Sequence, residues 1–91
     1  MPAFYTLKDV DAVLDFSIDW TSVFPTHDKI VASSWTADDG LTVDDNTFTD
    51  KTTTVWLSGG TKSGAYNVVN HVTTLYGRED DRTIRVTVYE A

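Results

Sequence analysis

From Gly64 to Glu90 apolar and β-branched residues take every second position, GAYNVVNHVTTLYGREDDRTIRVTVYE, and the alternation breaks once, at Gly77-Arg78-Glu79-Asp80-Asp81. A period of two sends successive side chains to opposite faces of an extended chain, so each half reads as a strand with one face toward a core. The pattern predicts a hairpin of Ala65–Tyr76 and Arg82–Tyr89 with a charged, solvent-facing tip at Gly77–Asp81. Its predicted core residues are Tyr66, Val68, Val72, Ile84, Val86 and Val88. Tyr66 shares its face with Val68, Asn70, Val72 and Thr74 and follows a Gly-rich corner. A tyrosine there can bury its ring while its hydroxyl bonds a nearby backbone group, the tyrosine-corner device of immunoglobulin-like sandwiches.

The rest of the chain repeats the theme. No segment sustains helical periodicity; Leu7 to Phe16 offers only a short stripe before Asp15-Phe16-Ser17-Ile18-Asp19-Trp20 alternates strictly. A strand is expected over Val13–Trp20, with Leu14, Phe16, Ile18 and Trp20 on one face. Lys29–Thr36 reads as another, ended by the turn Ala37-Asp38-Asp39-Gly40. Leu41–Val43 and Thr47–Thr49 are two short candidates flanking the turn-favouring Asp44-Asp45-Asn46, and Thr52–Ser58 is rich in β-branched residues. The expected fold is therefore all-β, an immunoglobulin-like antiparallel β-sandwich of about seven strands. Residues 1–91 are expected to form a single domain with a short N-terminal arm over about residues 1–11.

Composition narrows function. A 91-residue chain buries roughly 60 to 65% of its unfolded surface, which is enough for one core. There is no cysteine, so neither disulfides nor a thiolate zinc site can supplement that core. Fourteen acidic and seven basic residues give a net charge of -7, which repels nucleic acid and anionic membranes. The first residues lack a secretory pattern and no apolar run spans a bilayer, so synthesis in the cytoplasm and no membrane contact are expected.

No catalytic constellation stands out. His27 falls in a turn, and His71 lies in a strand opposite the Val68 and Val72 face. No serine occupies a Gly-x-Ser-x-Gly elbow. The clusters Asp38-Asp39, Asp44-Asp45-Asn46-Asp50 and Glu79-Asp80-Asp81 miss the spacing of a calcium loop and suit solvated turns. Gly59-Gly60-Thr61-Lys62-Ser63-Gly64 puts its lysine before the last glycine and leads into a strand, unlike a phosphate-binding loop. The expectation is a protein that is not an enzyme and has no catalytic residues, no cofactor and no metal.

The aromatics Trp20, Trp35, Trp56, Phe16, Phe48 and Tyr66 are mostly core candidates. Trp56, however, alternates with Val55 and Leu57, so both faces of its strand carry apolar bulk, and one face is available to a partner. Phe4, Tyr5 and Leu7 form an apolar segment outside the strand pattern, which either packs on its own domain or docks on a neighbour. These four, Phe4, Tyr5, Leu7 and Trp56, are the candidate partner-binding residues.

Several stretches together resemble a family of small tailed-phage structural proteins, the fibre-tail adaptors. They are Asp9–Trp20, Lys29–Thr36, Gly40–Val43, Thr52–Gly60 and Tyr66–Val68, with the Leu14–Trp20 strand and the Val55–Gly60 corner the most specific. The similarity runs from about Lys8 to Val88. It implies a virion component with an immunoglobulin-like sandwich, joining tail fibres or neighbouring proteins to the tail or neck in several symmetry-related copies. It brings no catalytic residues. Two other readings stay open at this point: a capsid decoration or head-completion protein, and a glycan- or receptor-binding module in which Trp35 or Trp56 stacks on a sugar.

Overall fold

β-Branched alternation becomes strand at every place where turn residues bound it. The computed structural model describes residues 4–9, 12–61 and 63–89. Its strands are β1 (Phe4–Asp9), β2 (Leu14–Asp19), β3 (Ile30–Ala37), β4 (Leu41–Phe48), β5 (Thr52–Gly59), β6 (Ala65–Thr74) and β7 (Glu79–Tyr89). They form a four-stranded sheet in the order β1-β7-β6-β3 and a three-stranded sheet in the order β2-β5-β4. All pairings are antiparallel except β1 with β7, which is parallel. The arrangement is an immunoglobulin-like sandwich, with β2-β5-β4 taking the places of strands B, E and D and β7-β6-β3 those of G, F and C.

Three expectations change. Leu41–Val43 and Thr47–Thr49 are not separate strands, because Asp44-Asp45-Asn46 does not turn the chain. β4 runs through it with a register shift between Val43 and Asp45, a bulge that absorbs one extra residue. Local side-chain bonding persists there, since Asp45 Oδ1 accepts the Asn46 N–H at 2.8 Å. The strands read from the sequence therefore number six rather than seven. The further strand is β1, from the segment expected to be an arm: its backbone over Phe4–Asp9 pairs with Ile84–Tyr89 of β7.

The hairpin is longer than the pattern predicted. β7 begins at Glu79, so Glu79, Asp80 and Asp81 pair with Thr73, Val72 and His71 instead of forming the tip. The turn tightens to the segment between Thr74 and Arg78, where the Arg78 carbonyl accepts the Thr74 N–H at 2.8 Å and Gly77 has φ 83°.

The core lies between the sheets. Ile18, Trp20, Phe24, Ile30, Leu41, Val55, Leu57, Val68, Val72, Ile84, Val86 and Val88 are buried, with Tyr66 packed against them. Trp20 is wholly enclosed and stacks on Phe24 with ring centroids 5.6 Å apart. At the corner above this core the Tyr66 hydroxyl accepts the Thr61 N–H at 2.9 Å. Its ring leaves no room for a side chain at Gly40, where an added Cβ would lie 2.8 Å from Tyr66 Cε1 and φ is already +109°.

Candidate functional site

Three polar constellations and one outward face contain the chemistry of the described residues. The first is internal. Asn70, fully buried on β6, accepts through Oδ1 from the Trp20 indole N–H (3.2 Å) and the Thr53 hydroxyl (2.6 Å). Through Nδ2 it donates to Ser33 Oγ and to the Ser34 carbonyl, both at 2.9 Å. Every polar position of the amide is used, so the group ties both sheets together and offers nothing to a substrate.

The second closes one end of the sandwich. Asp28, in the β2–β3 connection, is buried. Its carboxylate accepts from the Thr74 hydroxyl (2.7 Å), Arg78 (2.8 Å) and the backbone N–H groups of Lys29 (2.9 Å) and Tyr76 (3.2 Å). Burial pushes its pKa up, but the bonds from Thr74, Arg78, Tyr76 and Lys29 outweigh it and hold the carboxyl down to about 2. Lys51 reinforces the same end, donating to the carbonyls of Asp28 (2.6 Å) and Pro25 (3.0 Å). His27 lies nearby with its ring edge-on to Tyr76 at 5.2 Å.

The third lies on the outer face of the β6–β7 hairpin. His71 bonds Asp81, directly opposite in the ladder, through Nδ1, and Glu79 through Nε2 at 2.9 Å. The bond to Asp81, then that to Glu79, raises the imidazole pKa above its ordinary 6.5.

The outward face belongs to β2-β5-β4. Along β5 the buried Thr53, Val55 and Leu57 alternate with Thr52, Thr54, Trp56 and Ser58, so Trp56 is half-buried and faces away from the core. The register sets Asp15 of β2 on one side of Trp56 and Asp45 of β4 on the other, both exposed. The Ser17 and Thr54 hydroxyls bond across the same face at 2.8 Å. The residues in register on this face include three carboxylates, Asp15, Asp19 and Asp45, and no lysine or arginine. An aromatic face between two carboxylates suits a guanidinium or ammonium group.

The candidate residues thus fall in two places. Trp56 lies on the three-stranded sheet, whereas Phe4, Tyr5 and Leu7 belong by their backbone to β1 at the margin of the other; their side chains lie outside what is described. Trp35 is partly buried and packs against the core, with its indole N–H enclosed. The sequence does not single out Asp15, and it marks Asp45 only as part of an acidic turn cluster. Their signal was the outward position of Asp15 in its alternation, but only the strand register places both beside Trp56.

Residues 8–87 match the family described as podophage GP4 fiber-tail adaptor protein gp77. The chain belongs to this family. No curated protein matches it. Among solved structures, the chain is similar to the PKD domain from KIAA 1837 protein, determined in solution. The two are 20% identical with a TM-score of 0.56, and the match covers 99% of this chain and 82% of that one. That likeness supports the fold alone and agrees with the immunoglobulin-like sandwich. For this member of the adaptor family, the described residues contain no pocket and no group of three or more His, Cys, Asp or Glu placed to hold a metal.

Proposed function

We propose that the protein is a non-enzymatic structural part of a phage virion. It acts as an adaptor that joins tail fibres or neighbouring proteins to the tail or neck in several symmetry-related copies. The observation that carries this reading is the family match over residues 8–87. The sandwich supports it, because two sheets tied by a saturated internal network form a rigid body whose outer surfaces are held in fixed relation. The outer face of β2-β5-β4 is the docking surface. Trp56 supplies apolar area, Asp15 and Asp45 supply charge, and together they fit a basic segment of the fibre or tail protein. Phe4, Tyr5 and Leu7 extend the contact at the opposite sheet margin, where β1 lies.

The test is a phage carrying Trp56→Ala with Asp15→Lys and Asp45→Lys. All three positions lie on the outer face, so the isolated variant is expected to unfold within about 1 kcal/mol of wild type. Negative-stain images of the variant particles should show tails lacking fibres or neck density. Normal fibre attachment would dismiss this face, and labelled protein found only on the capsid shell would dismiss the adaptor role.

A further inference from the structure

A strand bonded on one side presents backbone N–H and C=O groups to any chain that can lie alongside, and charges or bulges are how proteins blunt such an edge. The marginal strands are β1 and β3 in one sheet and β2 and β4 in the other. β2 carries Asp15 and Asp19, and β4 carries Asp44 and Asp45 at its bulge. β3 differs: its sequence, IVASSWTA, has no charge and no proline. Beyond the irregularity between Ile30 and Ala32, its residues Ala32–Ala37 keep unbroken register with β6. Ala32, Ser34 and Thr36 are exposed and small, so an approaching strand meets little steric bulk.

Charge returns only at the two ends of β3. Lys29 precedes it, Asp38 and Asp39 follow it, and all three are exposed. A strand pairing here needs the reverse distribution, acid beside Lys29 and base beside the aspartates. A second β3 running antiparallel supplies it. Centred on Ser34, the pairing sets Ser34 opposite Ser34 of the second copy and Ala32 opposite Thr36, and it brings each Lys29 beside the other copy's Asp39; Asp38 turns instead toward β6, where its carboxylate accepts the Asn67 N–H at 2.8 Å.

We infer that β3 is a self-complementary edge through which two copies of this chain pair about a two-fold axis, making one eight-stranded sheet from two four-stranded sheets. The pairing is independent of the adaptor reading and uses a different strand from the Trp56 face. Strand pairing over Ala32–Thr36 alone covers less than the ~800 Å² per partner of a standard interface. The dimer is therefore weak, and it is populated where copies are concentrated.

Sedimentation equilibrium over a concentration series tests this, with circular dichroism checking that each variant keeps its sandwich. Wild type should show reversible monomer–dimer exchange. Ser34→Lys sets two ammonium groups opposite each other and should raise the dissociation constant at least several-fold, whereas Ser34→Thr should leave it unchanged. Lys29→Glu should weaken pairing, and adding Asp39→Lys should restore it. That charge-reversal pair decides the matter if Ser34→Lys fails to fold. A wild-type monomer at every concentration, or a dimer indifferent to both Ser34→Lys and Lys29→Glu, would overturn the inference.

Discussion

Asn70 Oδ1 accepts the indole N–H of Trp20 at 3.2 Å across the inter-sheet space, joining the penultimate strand to the end of the first core strand. The same oxygen takes the Thr53 hydroxyl, while the amide nitrogen holds Ser33 and the Ser34 carbonyl on β3. One side chain thus links four segments of the chain. Asn70→Ala leaves a cavity and several enclosed polar groups without partners, and the expected loss is about 3 to 5 kcal/mol. Urea unfolding followed by tryptophan fluorescence measures it; a loss below ~1 kcal/mol would mean that water replaces the amide without strain.

The two interior tryptophans should respond differently to removal of the indole nitrogen. Trp20 is wholly enclosed, its N–H is bonded, and the Arg82 guanidinium lies 5.0 Å from its ring. Trp35 encloses an N–H for which no partner exists among the described residues. Trp20→Phe should cost about 2 to 4 kcal/mol, whereas Trp35→Phe removes an unsatisfied donor and should cost under about 1.5 kcal/mol. Equal losses in parallel denaturation curves would argue that the Trp35 N–H is satisfied in solution.

What could be read in advance was local. The β6–β7 hairpin joins neighbours in the chain, so alternation alone identified Val68, Val72, Ile84, Val86 and Val88 as core. The Gly-rich corner before Tyr66 likewise announced a hydroxyl bond to nearby backbone, and the structure identifies that group as the Thr61 N–H. Long-range register was not legible. Nothing near Trp56 reveals that Asp15, forty-one residues earlier, lies beside it, because that placement depends on which strands pair. β4 misled for a related reason. Asp44-Asp45-Asn46 has turn chemistry, yet pairing with β5 kept the chain extended and reduced the turn to a bulge. The pairing of β1 with β7 was hidden too, since it joins the two ends of the chain.

The corner makes a paired prediction about Tyr66. Tyr66→Phe removes the hydroxyl that accepts from Thr61 but keeps the ring, for an expected loss of about 1 to 2 kcal/mol. Gly64→Ala should be worse than this single lost bond. Its Cβ would stand 2.7 Å from the Tyr66 oxygen and 2.8 Å from the Thr61 carbonyl, so the corner itself must shift. If Gly64→Ala unfolds at the same urea concentration as wild type, the corner is softer than its geometry indicates.

The two titrating constellations predict opposite pH responses. Asp28 has a pKa depressed from 3.8 to about 2, so its contribution is complete above 3.8 and disappears as acid protonates it between those values. Asp28→Asn should therefore be less stable than wild type at neutral pH, with the gap narrowing toward pH 2. His71 is shifted the other way, its pKa raised above 6.5 by Asp81 and Glu79. Its contribution is complete below 6.5 and is lost as pH rises through the raised folded value. Because the imidazole is 43% exposed, the effect should be modest, a fall in the unfolding midpoint that sets in as pH rises past 6.5. His71→Gln should flatten that fall while leaving the acid limb intact. A slope that persists in His71→Gln would assign it to another group and leave Asp81 and Glu79 as ordinary surface carboxylates.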